Sequence, residues 1–271
     1  MKQQAVRMMI LSSILLLSAC HKTPDSSAQG SAASDPSSER PAEVLPYLNI
    51  QTKRADYALP FCEKKNCIDI DIQSLVTKDT WLNAWINKNQ SQVIQDQIGL
   101  KQNLTVQQAI NAYVKKSDEW QQAFSANQPY RLHIKTRIAS QRNQYVLLQL
   151  QVSSQQADVA VKERQYFFVA DRQLQKELTV LDVVEQKHRV PFDQLVQTKY
   201  QDWLKQQSRD VQRTAPQKLY WGQADWFFDG EGIGLHYRAN QIVKDAKSLD
   251  IFLNTQQTQQ MLKPEISHKM F

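Results

Sequence analysis

Apolar and polar positions alternate around residues 68–76, where Ile68, Ile70 and Ile72 recur every second residue, and this period predicts a half-buried strand. Segments 47–50 and 56–61 are expected to supply another strand ahead of it. From Asp79 the period lengthens. Trp81, Leu82, Trp85, Ile86, Val93 and Ile94 form a helical stripe, with Asp79 placed to cap its start and Gly99 its end. Thr105 and Gln108 have capping-box spacing, and Val106, Ile110, Tyr113, Val114 and Trp120 continue behind them as a second helix. The middle of the chain returns to a period of two. Leu132, Ile134 and Ile138 are followed by Val146, Leu148, Leu150 and Val152 across a short polar link at 141–143, which predicts a hairpin. Residues 161–170 read as a third strand of the same kind. A short helix over 180–185 and a longer one from Pro191 follow, the second with Phe192, Leu195, Val196, Tyr200, Trp203 and Leu204 on one stripe. Strands at 225–228, 234–238 and 249–253 precede a terminal helix beginning near Asn254. Strands and helices come in runs and do not alternate as βαβ units, so the predicted fold is α+β with an antiparallel sheet.

The stretch "WFFDGEGIGLHYRANQIV" (226–243) holds Gly230, Gly232 and Gly234 at alternate positions. A dinucleotide loop would need a strand, then the glycines, then a helix whose N-terminus meets phosphate. Here the order is strand, glycines, strand, and Asp229 and Glu231 would repel a phosphate. Asp229-Gly230 reads as a hairpin turn with Gly230 expected at positive φ, while Gly232 and Gly234 suit a bulge or a close backbone contact.

The first twenty residues, "MKQQAVRMMILSSILLLSAC", combine basic Lys2 and Arg7 with an apolar run too short to span a bilayer, as in a signal peptide. The ending Leu17-Ser18-Ala19-Cys20 resembles the lipobox of bacterial lipoproteins. That resemblance implies cleavage of residues 1–19, acylation of Cys20 and firm membrane anchoring through palmitate-like chains. His21 stands where an aspartate would resemble an inner-membrane retention signal, so the outer membrane, facing the periplasm, is the expected location. Residues 20–46, with four of the nine prolines and hardly an apolar side chain, read as a disordered tether, leaving 47–271 as one domain. Net charge is +6; cleavage removes Lys2 and Arg7 and no acid, leaving +4. No basic run with interleaved aromatics stands out, so nucleic acid is not an expected partner. Cys62 and Cys67, in "CEKKNC", suit a small disulfide in an exported protein; half of a metal site is the competing reading, without a nearby histidine to complete it.

The segment "FFDGEGIGLHYRANQIVKDAKSLDIFLNTQQTQQML", with Gly234, Leu235 and Tyr237 on a strand and a short helix near 241–246, resembles the C-terminal part of the RsiV-like envelope domain, found also ahead of the catalytic part of PdaC peptidoglycan deacetylases. "YFFVADRQLQKELTVLDVV", with Leu178, Thr179, Val180, Leu181 and Asp182, and "WLNAWINKN" resemble upstream elements of the same domain. The resemblance implies a curved antiparallel sheet packed on several helices, and binding as the activity, since RsiV-type domains recognise lysozyme. The chain as written has no segment before its anchor to hold a sigma factor, and no deacetylase portion after the domain.

No catalytic motif is found: the histidines do not form H-E-x-x-H, and no G-x-S-x-G is present. A metal or cofactor is therefore not expected. Trp226, Asp229, Glu231, His236 and Arg238, gathered around the glycine turn, are the candidate ligand-binding residues, although a surface role for His236 and a core role for Trp226 are the plainer readings. The expected function is non-enzymatic binding of a lysozyme-type protein or peptidoglycan. The alternatives are a structural or accessory outer-membrane lipoprotein, or a peptidoglycan-acting hydrolase.

Overall fold

A computed structural model describes Leu45 and residues 47–62, 67–123, 128–157 and 159–271. The leader and Cys20 lie outside the described residues, as does the tether but for Leu45. Residues 44–271 form one compact unit. The fold is α+β: a six-stranded sheet, a three-stranded sheet and, among the described residues, seven helices.

The larger sheet runs in the order β1 (Gln51–Arg54), β2 (Asp69–Val76), β3 (Arg131–Arg142), β4 (Tyr145–Gln156), β5 (Val159–Asp171) and β6 (Lys176–Leu178). Its pairs are antiparallel except β2–β3, which is parallel. Parallel neighbours need a crossover, and α1 (Thr80–Asp96) with α2 (Val106–Ala123) provides it. Both helix starts are fixed by the residues that the sequence marks. The Asp79 carboxylate accepts from the Leu82 amide at 2.9 Å, and Thr105 and Gln108 exchange their capping hydrogen bonds at 2.9 and 3.2 Å. Gly99, at φ +67°, turns the chain out of α1. The N-terminal strand is displaced from the two predicted segments and occupies the residues between them.

The apolar positions of β2, β3 and β4 pack under α1 and α2, with Ile72, Ile86, Ile94, Ile110 and Leu132 fully enclosed. The opposite face changes character along β4. Tyr145 and Leu147 enter a second core, whereas the Gln149 and Gln151 amides hydrogen-bond across the strands to Gln165 and Glu163 at the half-open surface. A sheet with one wet face reads as such an alternation.

The second core lies between the three-stranded sheet β7 (Asp225–Phe228), β8 (Gly232–Tyr237) and β9 (Leu249–Asn254) and the helices α3 (Val180–Val183), α4 (Arg189–Leu204) and α5 (Arg209–Thr214). Phe192, Val196, Tyr200 and Trp203 line the stripe of α4, as its spacing predicts. The C-terminal part forms two helices, α6 (Thr255–Met261), capped by Asn254, and α7 (Pro264–Met270). The short helix expected near 241–246 is absent: the chain there makes turns, with Asn240 and Asp245 at positive φ and Asn240 Oδ1 accepting from the Asp245 amide at 2.8 Å. Asn and Asp tolerate that conformation and bond their own backbone, so they favour turns over a helix here. The strand β6, the helix α5 and two 3-10 turns at Gln186–His188 and Trp221–Gln223 were not expected from the pattern.

Candidate functional site

The glycine stretch folds as the β7–β8 hairpin. Its turn is closed by Asp229, whose amide donates to the Gly232 carbonyl at 3.1 Å and whose Oδ1 accepts from the Glu231 and Gly232 amides at 2.7 and 3.1 Å. Gly230 does not have the expected positive φ, because this turn places its backbone in ordinary space. The close backbone contact expected of the other two is present. A Cβ on Gly232 would overlap the Leu253 carbonyl of β9, and one on Gly234 would overlap the Phe227 ring that lies over it.

The five candidate residues around this hairpin separate into three places. Trp226 faces the second core, 2% exposed, with its indole N–H donating to the Leu178 carbonyl at 2.7 Å, so it is a core anchor and not a contact surface. Asp229 and Glu231 are exposed at the turn. His236 and Arg238 lie with Asp225, where β7 meets β5.

This junction is electrostatically dense. Arg238 Nη1 donates to Asp225 Oδ2, the guanidinium stacks over the Tyr166 ring at 4.4 Å, and the Phe167 amide donates to the same Asp225 oxygen at 3.2 Å. Burial pushes the Asp225 carboxyl above its ordinary value, against Arg238, the Phe167 amide and His236. Burial would lower the Arg238 guanidinium, but Asp225, Tyr166 and Asp96 hold it above its ordinary value. Asp96, at the end of α1, is also raised by burial, with Arg238 opposing most strongly. His236, expected on the surface, is only 6% exposed. Its Nδ1 lies 2.6 Å from Asp250 Oδ1, the Phe167 ring meets it edge-on at 5.2 Å, and its buried Nε2 has no partner among the described residues. The Asp225 carboxylate faces a cation and a backbone donor inside the fold, whereas Asp250 is exposed. The arrangement is that of a packed ion pair joining two sheets, whose removal on one side alone is costly.

A separate surface has the features of a ligand site. Two cavities, of about 550 and 470 Å³, abut at Lys88 and Leu104 and together form a groove along one side of α1. The first lies between α1, the end of β1 and the start of α2; the second lies between α1 and the loop that follows it. The floor is built from polar side chains whose bonds are already made. Ser74 donates to Gln90 Oε1 at 3.0 Å, while Gln90 Nε2 donates to Thr136 at 2.9 Å and to the Gln73 carbonyl at 3.1 Å. Ser91 donates to the Leu104 carbonyl at 2.7 Å, and Gln95 accepts from the Gln102 amide at 2.9 Å. The rim differs. Asn87, Gln92 and Asn103 are exposed and make no side-chain hydrogen bond among the described residues. Lys53, Lys88 and Lys101 stand over the same groove, Lys88 being 3.6 Å from Glu177.

None of these rim residues belongs to the group that the sequence singles out. The available signal was composition. The helix "TWLNAWINKNQSQVIQD" has asparagine and glutamine where a solvated helix face ordinarily bears lysine and glutamate, and asparagine is a weak helix former.

Cys62 and Cys67 are joined by a disulfide of S–S 2.00 Å and Cα–Cα 5.9 Å, so they are not metal ligands. Among the described residues no helix is long and apolar enough to cross a membrane.

No family model matches the chain, and no curated protein matches it. Solved structures that share its fold include two DUF3298-family proteins. A DUF3298-family protein of Pseudomonas aeruginosa is 14% identical, with a TM-score of 0.58 over 82% of this chain and 97% of that one. A DUF3298-family member from Bacteroides fragilis is 15% identical, with a TM-score of 0.54 over the same shares. At these identities the likeness concerns the fold alone.

Proposed function

We propose that this chain is a lipid-anchored binding protein of the bacterial cell envelope, related to the RsiV-like domains, which holds its ligand without transforming it. The observation that carries the reading is the groove along α1, with a hydrogen-bonded floor and unengaged amides at its rim. Such a surface is organised to bind, because a ligand can use the rim without breaking the bonds beneath it. The Cys62–Cys67 disulfide suits an oxidising compartment, in keeping with the signal-peptide and lipobox pattern ending at Cys20. The ligand is an envelope component, either a lysozyme-type protein or peptidoglycan.

The test uses the detergent-solubilised mature chain as bait in envelope extract. Retention of an envelope protein or of sacculus fragments is expected, and the wild-type protein is expected to fractionate with membranes while Cys20→Ala stays unprocessed or is released. Hydrolysis of peptidoglycan or of its acetyl groups, abolished by His236→Ala in a variant that still folds, would overturn the reading in favour of an enzyme.

A further inference from the structure

We infer that the groove along α1 binds an N-acetylated glycan bearing carboxylates, the chemistry of peptidoglycan and its fragments; this rests on the envelope-binding reading and names the ligand of its groove. The groove follows α1 from Ala84 to Asp96, a length of about 18 Å at the helical rise. That accommodates a short oligomer and exceeds a single sugar ring. Its rim amides on Asn87, Gln92 and Asn103 each present both a donor and an acceptor. Sugar hydroxyl and acetamido groups also donate and accept, so each rim amide can bond such a ligand in either direction.

An extended peptide fits less well. Strand addition needs a free backbone edge; the edge strand β1 reaches the groove only at Lys53, and along most of its length the wall is α1, whose backbone groups are used internally. Charge narrows the ligand further. The lining carries Lys53, Lys88 and Lys101 against Asp56 and Asp96, with Glu177 3.6 Å from Lys88. Exposed ammonium groups attract carboxylates, and they would disfavour the strongly basic surface typical of lysozymes. The half-buried Leu104 and Val106 give the floor an apolar strip for a sugar face or an acetyl methyl.

Binding is measured by calorimetry on the mature chain with two probes. One is the disaccharide-tetrapeptide released from sacculi by a muramidase. The other is chitotetraose, which has the acetamido groups without the carboxylates. The wild type is expected to bind the muropeptide more tightly than chitotetraose, with an affinity that falls as salt rises. Replacing Lys53, Lys88 and Lys101 together by Gln should weaken muropeptide binding about tenfold or more and leave chitotetraose binding unchanged. Replacing Asn87, Gln92 and Asn103 together by Ala should weaken both. Melting temperatures should stay close to wild type, since all six side chains are exposed. Absence of muropeptide binding by the wild type overturns the inference, as does binding that neither variant changes. If the bait retains an envelope protein equally well in both variants, this inference falls while the envelope-binding reading stands.

Discussion

Gly230, Gly232 and Gly234 sit in one hairpin and meet three different surroundings. Nothing but the Arg142 guanidinium tip, at 3.3 Å, would meet a Cβ on Gly230, and its backbone is unstrained. At Gly232 the obstacle is the Leu253 carbonyl, which cannot swing aside without moving β9; at Gly234 it is the Phe227 ring. Gly230→Ala is therefore expected to change stability by less than about 0.5 kcal/mol. Gly234→Ala should cost about 1–3 kcal/mol by overpacking, and Gly232→Ala should cost at least as much because backbone must yield. Thermal melts of the three variants check the order. A Gly232→Ala protein as stable as Gly230→Ala would mean that β8 and β9 are not packed this closely.

Helix α3 is four residues long and is held by its cap. Thr179 donates to Asp182 through its amide at 2.8 Å and its hydroxyl at 2.7 Å, and Lys176 adds an ion pair at 2.6 Å. Burial alone would raise the Asp182 carboxyl, but these three donors outweigh it and hold the group below its ordinary value. A carboxylate so lowered stabilises the fold at neutral pH, and that contribution is lost as pH falls through the folded-state value. Asp182→Asn should thus lower stability by about 1 kcal/mol at pH 7. The gap from wild type should close as pH drops below about 4, the unfolded carboxylate range, as read from denaturant unfolding at several pH values. Elements of this kind, with local chemistry at their ends, were legible in the sequence: Asp79 and Thr105 start helices where their spacing says. Lys176–Leu178 was not, because three residues carry no period and the strand exists only through its pairing with β5. The candidate site was less legible still. Neighbouring positions along β7 and β8 point to opposite faces of their sheet, so Trp226 on β7 and His236 on β8 part company. The groove's lining is assembled from β1, α1, the loop after it and α2, and no single stretch displays it.

At the scale of the whole molecule, two cores lie on opposite faces of the larger sheet, and β4 contributes to both through Leu147 on one side and Leu148 on the other. The Asp225–Arg238 pair, with Tyr166 and Phe167 from β5, ties the smaller sheet to the larger at that boundary. The lone parallel pair has a kinetic consequence. Strands β3, β4 and β5 meet through short turns, but the Asp69–Arg131 contact must close a chain segment running from residue 69 to residue 131. Closing a longer loop costs more entropy before any contact rewards it, and non-local pairing slows folding. The meander is accordingly expected to be formed in the rate-limiting ensemble, and β2 to dock afterwards. Leu148→Ala should therefore slow refolding, whereas Ile72→Val should act mainly by speeding unfolding, each read from the two arms of a chevron plot. On that order of events β2 and the two crossover helices settle after the meander, so the groove along α1 takes shape only once the centre of the larger sheet exists.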